Sequence, residues 1–332
     1  MKWFVTGATG FLGRHLVAAL LARGDEVVAL CRKHDSVLAS LGATLALGDV
    51  MDGPSVRVAA AGCDGAFHCA GKVSREVGDA EPMFRVHVEG TKVALDALKE
   101  AGVRRVVYAS TSGTVAISSD ANDIRDEGSP TPIDLIARWP YYRSKLYAEQ
   151  VALERSGPEF AVISVNPSLL LGPGDVYGSS TEDVRKFLEQ KIPFAPGGGI
   201  AFVDARDAAT ARILAMMRGL PGERYLINAA NMSLGSFFGR LERISGVKGP
   251  QVRLPRTSAT LASVSADLLG RAAKLIGAAS PLDKVSAEMA QFYWYCSSSK
   301  AERDLGWVAR DPNETLADTV ADLRQRGVVW PS

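Results

Sequence analysis

Lys2-Trp3-Phe4-Val5-Thr6-Gly7-Ala8-Thr9-Gly10-Phe11-Leu12-Gly13 lies at the start of the chain. An apolar run with strand character ends in a glycine turn. It passes directly into residues 11–23, whose apolar positions recur with helical period. Gly7 permits the tight turn, Gly10 lets the backbone approach a phosphate, and Gly13 lets the helix lie close to the strand. The free N–H groups and dipole of the helix start favour negative charge. The stretch therefore predicts a strand–turn–helix unit that holds the pyrophosphate of a dinucleotide.

The alternation continues outward from this unit. Lys2–Thr6, Glu26–Cys31, Thr44–Leu47, 66–69, Arg105–Ala109 and 161–165 read as strands, and 11–23, 54–60, 83–100 and 141–154 as helices. Near-continuous apolar strands separated by helices imply a parallel sheet covered on both faces. Right-handed crossovers make it doubly wound. The pattern changes after Asn166-Pro167, with a Gly/Pro-rich stretch over 171–180 and a turn at 196–199. Helices are expected near 181–190, 207–217, 234–244, 258–276 and 281–293, with short strands such as 225–228. The fold class is α/β: a Rossmann-type dinucleotide-binding domain over 1–166, then a smaller, mostly helical substrate-binding lobe over 167–332. Some of its segments are expected to return to the sheet. This lobe should cover the C-terminal edge of the sheet, where such folds bind ligands.

Composition narrows the function. The 332 residues suffice for about two domains. Lys+Arg 38 against Asp+Glu 37 leaves a net charge of +1, so no nucleic-acid partner is expected. Cys31, Cys63, Cys69 and Cys296 form no C-x-x-C, which argues against a zinc knuckle or a disulfide framework and for a cytoplasmic protein. His15, His34 and His68 show no metal-ligand spacing, and no metal is expected. No apolar run reaches ~18 residues, so no membrane span is expected. The first residues enter a strand without the pattern of a signal peptide. The apolar segment 258–276 carries only Arg271 and Lys274 as cations, and reads as a lid or core helix rather than a membrane-surface one.

Three further signals carry chemistry. The second strand ends Leu30-Cys31-Arg32-Lys33, where an NAD-selective site would place an acidic residue for the ribose hydroxyl. Two cations instead suit a 2′-phosphate, so NADP(H) is favoured over NAD(H). Tyr141 and Lys145 are four apart and share one helix face. A Lys beside a phenol lowers the phenol pKa and makes Tyr141 an acid/base for a carbonyl–alcohol pair. The fifth strand ends in Ser110-Thr111-Ser112, hydroxyls suited to a substrate oxygen, which spacing alone does not separate.

Together these motifs resemble the extended short-chain dehydrogenase/reductase family, of the NAD(P)-dependent epimerase/dehydratase type. Gly48-Asp49-Val50, His68-Cys69-Ala70-Gly71, Asn166-Pro167-Ser168, Phe202-Val203-Asp204-Ala205-Arg206-Asp207 and Leu305-Gly306-Trp307 follow the family's order and spacing. The run from Val106 to Val115 is similar to the dihydroflavonol-reductase and 3β-hydroxysteroid-dehydrogenase branch. The resemblance spans nearly the whole chain. It implies that Gly7, Thr9, Gly10, Phe11, Leu12 and Gly13 hold the pyrophosphate, and Arg32 and Lys33 the 2′-phosphate. Asp49 and Val50 would meet the adenine, and Ala70, Gly71 and Lys72 would lie along the cofactor. Thr111, with Ser112 as fallback, would orient the substrate oxygen. Tyr141 would be the acid/base, Lys145 would bind the nicotinamide ribose, and Pro167, Ser168 and Leu169 would pack by the nicotinamide.

One position departs from the family. His87-Val88-Glu89-Gly90-Thr91 stands where members commonly read Asn-Val-x-Gly-Thr. His87 is read as a satisfied core histidine, with support of the active-site backbone as the alternative. The favoured function is NADP(H)-dependent oxidation–reduction of a ketone or aldehyde. The substrate is a small molecule, lipophilic or aromatic, because 169–171 and 192–196 are apolar. A nucleotide-sugar epimerase or dehydratase is the alternative, with Arg185, Lys186, Arg253 and Arg256 as candidates for the diphosphate. A non-catalytic NADP(H)-sensing module is a third reading, disfavoured by the presence of both Tyr141 and Lys145. Helices 83–100 and 141–154 often form a four-helix dimer interface in this family, so the resemblance allows a homodimer.

Overall fold

The computed structural model describes residues 1–253 and 284–329. The expected helix over 258–276 and Arg256 lie outside these residues, and so does the start of the segment 281–293.

The first half builds β1 (Lys2–Thr6), α1 (Phe11–Ala22), β2 (Glu26–Cys31), α2 (Ser36–Leu41), β3 (Thr44–Leu47), α3 (Gly53–Ala60), β4 (Gly65–His68), α4 (Ala80–Phe84) and α5 (Gly90–Glu100). It continues with β5 (Arg105–Ala109), α6 (Ile133–Ile136), α7 (Pro140–Glu154) and β6 (Ala161–Pro167). The second half adds β7 (Leu169–Leu171), α8 (Glu182–Leu188), β8 (Phe194–Ala195), β9 (Gly199–Asp204), α9 (Ala205–Arg218), β10 (Arg224–Ile227), β11 (Ala230–Ser233), α10 (Leu234–Ser245) and β12 (Val252–Arg253). Three late helices follow: α11 (Lys284–Met289), α12 (Ser299–Leu305) and α13 (Pro312–Gln325).

The main sheet has seven strands in the order β10-β6-β5-β4-β1-β2-β3, and every pairing is parallel. The strand order reverses direction between β1 and β4, which opens a crevice at their C-terminal ends. Alternation decides the two faces. Trp3, Val5 and Phe67 pack towards α1 and α9, whereas Phe4, Ala66 and Tyr108 pack towards α3, α5 and α7. Phe4 and Phe67 are fully buried, each worth about 1.5–3 kcal/mol relative to exposure.

Residues 83–100 do not form one uniform helix. Between α4 and α5 the backbone takes a single π turn, Arg85–Glu89, which contains His87. Beyond Pro167, α9 and β10 join the main layer, and β10 extends the sheet beside β6. The second lobe has its own small sheet of β7, β9 and β11, packed with α8, α10 and α13 around Phe187, Phe202 and Phe237.

Candidate active site

The glycine turn shows why its three glycines are glycines. Gly7 has φ +67°, and a Cβ there would lie 2.5 Å from the Cys69 carbonyl carbon and oxygen. A Cβ on Gly13 would overlap the Gly7 carbonyl oxygen, so the helix sits directly on the turn. Gly10 differs: a Cβ there would meet only the Gly7 oxygen, at 3.3 Å. Its outer side is open, and α1 begins at Gly10 with no side-chain cap on its first N–H groups. An uncapped helix start over an open cradle fits a pyrophosphate. Phe11 is buried against His15, Leu12 packs on the core, and the Thr9 carbonyl accepts from Arg14 Nε at 3.1 Å.

At the end of β2, Cys31 is buried while Arg32 and Lys33 are exposed. The nearby carboxylate Asp35 is engaged: Oδ2 binds Arg14 at 2.7 Å, and Oδ1 accepts the Leu38 N–H at 3.0 Å. Arg14 was not singled out in the sequence, because its role depends on a contact across α1 and the β2 loop. Asp49 turns its Oδ1 to the Met51 N–H at 2.9 Å, and Val50 is buried in the sheet layer.

At the end of β4, His68 is fully buried between Thr6 Oγ1 at 2.8 Å and Thr91 Oγ1 at 3.1 Å. Burial drops its pKa to about 3, so the ring is neutral. The Thr6 hydroxyl also accepts the Ala70 N–H at 3.3 Å. Next along the chain, the Lys72 N–H donates to His87 Nε2 at 3.0 Å. His87 Nδ1 therefore carries the proton and donates to Ser144 Oγ at 2.8 Å, and Ser144 donates to the Tyr141 carbonyl at 2.8 Å. Burial lowers the His87 pKa to about 3 as well. His87 is thus buried and satisfied, but it does not merely fill the core. It ties the 70–72 segment to the backbone of α7, and Gly71 packs against its ring. The Lys72 ammonium pairs with Asp79.

Tyr141 starts α7, its ring edge-on to His87 and 5.0 Å from that of Tyr142. Burial pushes its phenol pKa up. The expected lowering by Lys145 is not what this geometry shows. Lys145 Nζ instead donates to Tyr108 Oη at 2.9 Å and to the Ala109 carbonyl at 2.5 Å. Burial pulls the Lys145 pKa down to about 7.

The hydroxyls after β5 separate clearly. Ser110 donates to Glu149, and Thr114 donates to Glu149 at 3.1 Å. Ser112 is buried, with its hydroxyl against the Cys296 thiol. Thr111 is half-buried, and among the described residues its Oγ1 accepts only the Gly113 N–H, at 3.3 Å. Glu149, one turn after Lys145, also accepts from Asn166 Nδ2 at 2.7 Å and faces Arg224 at 3.3 Å. Asn166 in turn donates to the Thr111 carbonyl at 3.2 Å. A buried carboxylate thus fixes the loop that carries Thr111. The Tyr-x-x-x-Lys spacing extends by one more turn to Glu149, a signal the sequence offered.

These features are a dinucleotide cradle, a switch-point crevice and a Tyr/Lys helix beside a hydroxyl-bearing strand end. Residues 3–228 match the model of the NAD dependent epimerase/dehydratase family. The chain belongs to this family. It is an NAD(P)-dependent enzyme of the extended short-chain dehydrogenase/reductase type. Among relatives, a Synechocystis protein provisionally named a dihydroflavonol 4-reductase is 32% identical, covering 98% of this chain and 96% of its own. A Stigmatella aurantiaca 4-hydroxy-2-methyl-3-oxo-4-farnesyl-3,4-dihydroquinoline-1-oxide ketoreductase is 31% identical, over 98% and 97%. The crystal structure of gox2253 superposes with a TM-score of 0.83 at 30% identity, covering 99% of each chain.

The remaining expected site residues lie at the end of β6 and in the second lobe. Pro167 ends β6, and Ser168 donates to Asn228 Oδ1 at 2.9 Å. The apolar segments expected to face substrate belong largely to the second lobe's interior: Leu171 and Ala195 are core, with Leu169 and Ile192 packed on it. An aromatic cluster packs beside Tyr141. Tyr142 lies 4.9 Å from Trp294, and Trp139 contacts Tyr142, Phe292 and Trp294 at 5.6–6.2 Å. Gly113 leaves room for the Tyr142 ring. Phe292 and Trp294 were missed because they arrive through a pairing between Ser118 and Tyr293 that sequence separation hides. Among the described residues no group of His, Cys, Asp and Glu could hold a metal, and no helix is long and apolar enough to cross a membrane.

Proposed function

We propose that this chain is an NADPH-dependent carbonyl reductase for lipophilic or aromatic ketones and aldehydes. The observation that carries the reading is the adjacency of Tyr141, at the start of α7, to the Tyr142–Trp294 aromatic cluster. An apolar wall with a few polar groups beside it suits a flat, apolar carbonyl compound. The names of the two relatives, both reductases, support the same direction.

A dinucleotide held in the α1 cradle would supply the hydride for the carbonyl carbon. Thr111 Oγ1 donates a hydrogen bond to the carbonyl oxygen and orients it. Tyr141 gives its phenolic proton to that oxygen, which leaves as the alcohol hydroxyl. Lys145, held by Tyr108 Oη and the Ala109 carbonyl one turn along α7, is the residue for the nicotinamide ribose, and solvent returns the proton to Tyr141. Oxidation of the alcohol is the same path reversed. Pro167, Ser168 and Leu169 close the nicotinamide side, and Ala70, Gly71 and Lys72 follow the cofactor.

Arg32 and Lys33 take the 2′-phosphate. The engagement of Asp35 by Arg14 and the Leu38 N–H supports this, since no free carboxylate is left there for a ribose hydroxyl. The epimerase/dehydratase alternative is weakened at α8. Arg185 is paired with Glu182 and Glu189, and Lys186 lies 3.8 Å from Glu182, so neither is free for a sugar diphosphate. Four free cysteines support a cytoplasmic setting, and a homodimer through α5 and α7 is our reading of the assembly.

The test is absorbance of the nicotinamide band with NADPH and NADH, against aromatic and lipophilic ketones and aldehydes in parallel with UDP- and dTDP-glucose. Consumption of NADPH with the carbonyl panel supports the reading. Turnover of a nucleotide sugar without net cofactor consumption would replace it with the epimerase/dehydratase one.

A further inference from the structure

Arg212, on α9, is fully buried in the layer between that helix and the main sheet. Its Nη1 donates to the Ala208 carbonyl at 2.9 Å, whereas among the described residues Nε and Nη2 have no oxygen or nitrogen partner. Among the described residues no carboxylate pairs with it. A buried guanidinium without a counter-charge is costly, and native structures seldom keep one without a use.

Its position indicates that use. The guanidinium lies against the Cys69 thiol. Cys69 follows β4, its N–H bonds the Thr6 carbonyl at 3.2 Å, and its own carbonyl lies against the face of Gly7 that a side chain would occupy. Arg212, Cys69 and Gly7 are therefore packed in series. Through Cys69, the cation is on the buried side of the turn whose other side is the open cradle at Gly10.

We propose that Arg212 is a buried counter-charge for the dinucleotide: a positioning residue that touches no cofactor atom and draws the pyrophosphate onto the α1 start through the Gly7 turn. The inference rests on dinucleotide binding by the family, not on the reductase reading. Without dinucleotide the charge is an unrelieved cost, and with it the pair is electrostatically balanced. In a medium of effective dielectric ~20, opposite unit charges ~10 Å apart are worth about tenfold in affinity.

The test uses the full-length protein and Arg212→Met, which keeps apolar bulk and removes charge. The apo melting temperature should stay level or rise, because an uncompensated buried charge has gone. The Kd for NADPH and for ADP, by calorimetric titration, should weaken about tenfold or more, while that for adenosine, which has no phosphate, stays unchanged. The loss should persist in 0.5 M NaCl, since solvent ions screen a buried charge poorly. Unchanged Kd for NADPH and ADP, or an equal loss for adenosine, would overturn the proposal in favour of a packing role. Arg212→Lys covers the case in which the Met variant does not fold. It keeps the charge and should bind NADPH within about threefold of wild type, whatever its melting temperature. A tenfold loss in that variant would show that the planar fork, not the charge, matters.

Discussion

Lys145 donates to the Ala109 backbone carbonyl at 2.5 Å, tying the middle of α7 to the C-terminal end of β5. Burial holds this ammonium near pKa about 7 in the folded chain, against 10.5 ordinarily. Between those values the unfolded chain binds the extra proton, so apo stability rises as pH increases from about 7 towards 10.5. Chemical denaturation at stepped pH should show that rise, and Lys145→Met should flatten it. Equal slopes in the two proteins would mean that Lys145 does not titrate in this window.

The buried histidines act at the acid end. His68 and His87 both have folded pKa values lowered from 6.5 to about 3. The unfolded chain binds more protons between those values, so the stability they allow is complete above about 6.5 and is lost as pH falls towards 3. His87→Asn should keep an acceptor for the Lys72 N–H, retain most activity and soften the acid loss. His87→Leu should strand that N–H and the Ser144 hydroxyl, at a cost of about 1–3 kcal/mol. Thermal melts from pH 7.5 to 5 decide the matter, and an Asn variant as acid-sensitive as wild type would count against it.

The glycines of the turn should divide by mechanism. Gly13→Ala places a methyl into the Gly7 carbonyl and should lower the melting temperature sharply. Gly10→Ala meets only one atom, at 3.3 Å, and should leave stability near wild type while weakening NADPH binding. Melting curves and cofactor titrations on both variants separate the effects. A Gly10→Ala protein with normal cofactor affinity would place the phosphate elsewhere.

Coenzyme choice follows from the end of β2. Removing both cations, in Arg32→Ala with Lys33→Ala, should cut the NADPH-over-NADH ratio of kcat/KM by about tenfold or more, since each charged hydrogen bond is worth about 1.5–3 kcal/mol. NADH kinetics should hardly move. An unchanged ratio would remove these residues from the 2′-phosphate site.

Much of the fold was legible because the sheet is parallel and buried on both faces. Strands such as Glu26–Cys31 and Arg105–Ala109 are apolar after one leading charged residue and are bounded by turns, and their limits matched the structure. The strand near 225–228 was visible, but its place beside β6 was not, since no local pattern encodes which edge a late strand joins. The site was legible where geometry is local, as in the glycine turn. It was illegible where long-range packing sets direction. Lys145 turns to Tyr108 and Ala109, Ser112 to Cys296, and His87 to the Lys72 backbone, all through contacts 15 to 184 residues apart.

The central claim is that Tyr141 Oη delivers the proton. Tyr141→Phe changes one oxygen in a ring already packed between His87 and Tyr142, so the fold and the cofactor cradle should be untouched. The direct measurement is the single-turnover rate of NADPH oxidation by this variant, with any ketone the wild type reduces, alongside NADPH affinity. The account predicts a fall of about 100-fold or more in rate at unchanged affinity. A rate within a fewfold of wild type would contradict it.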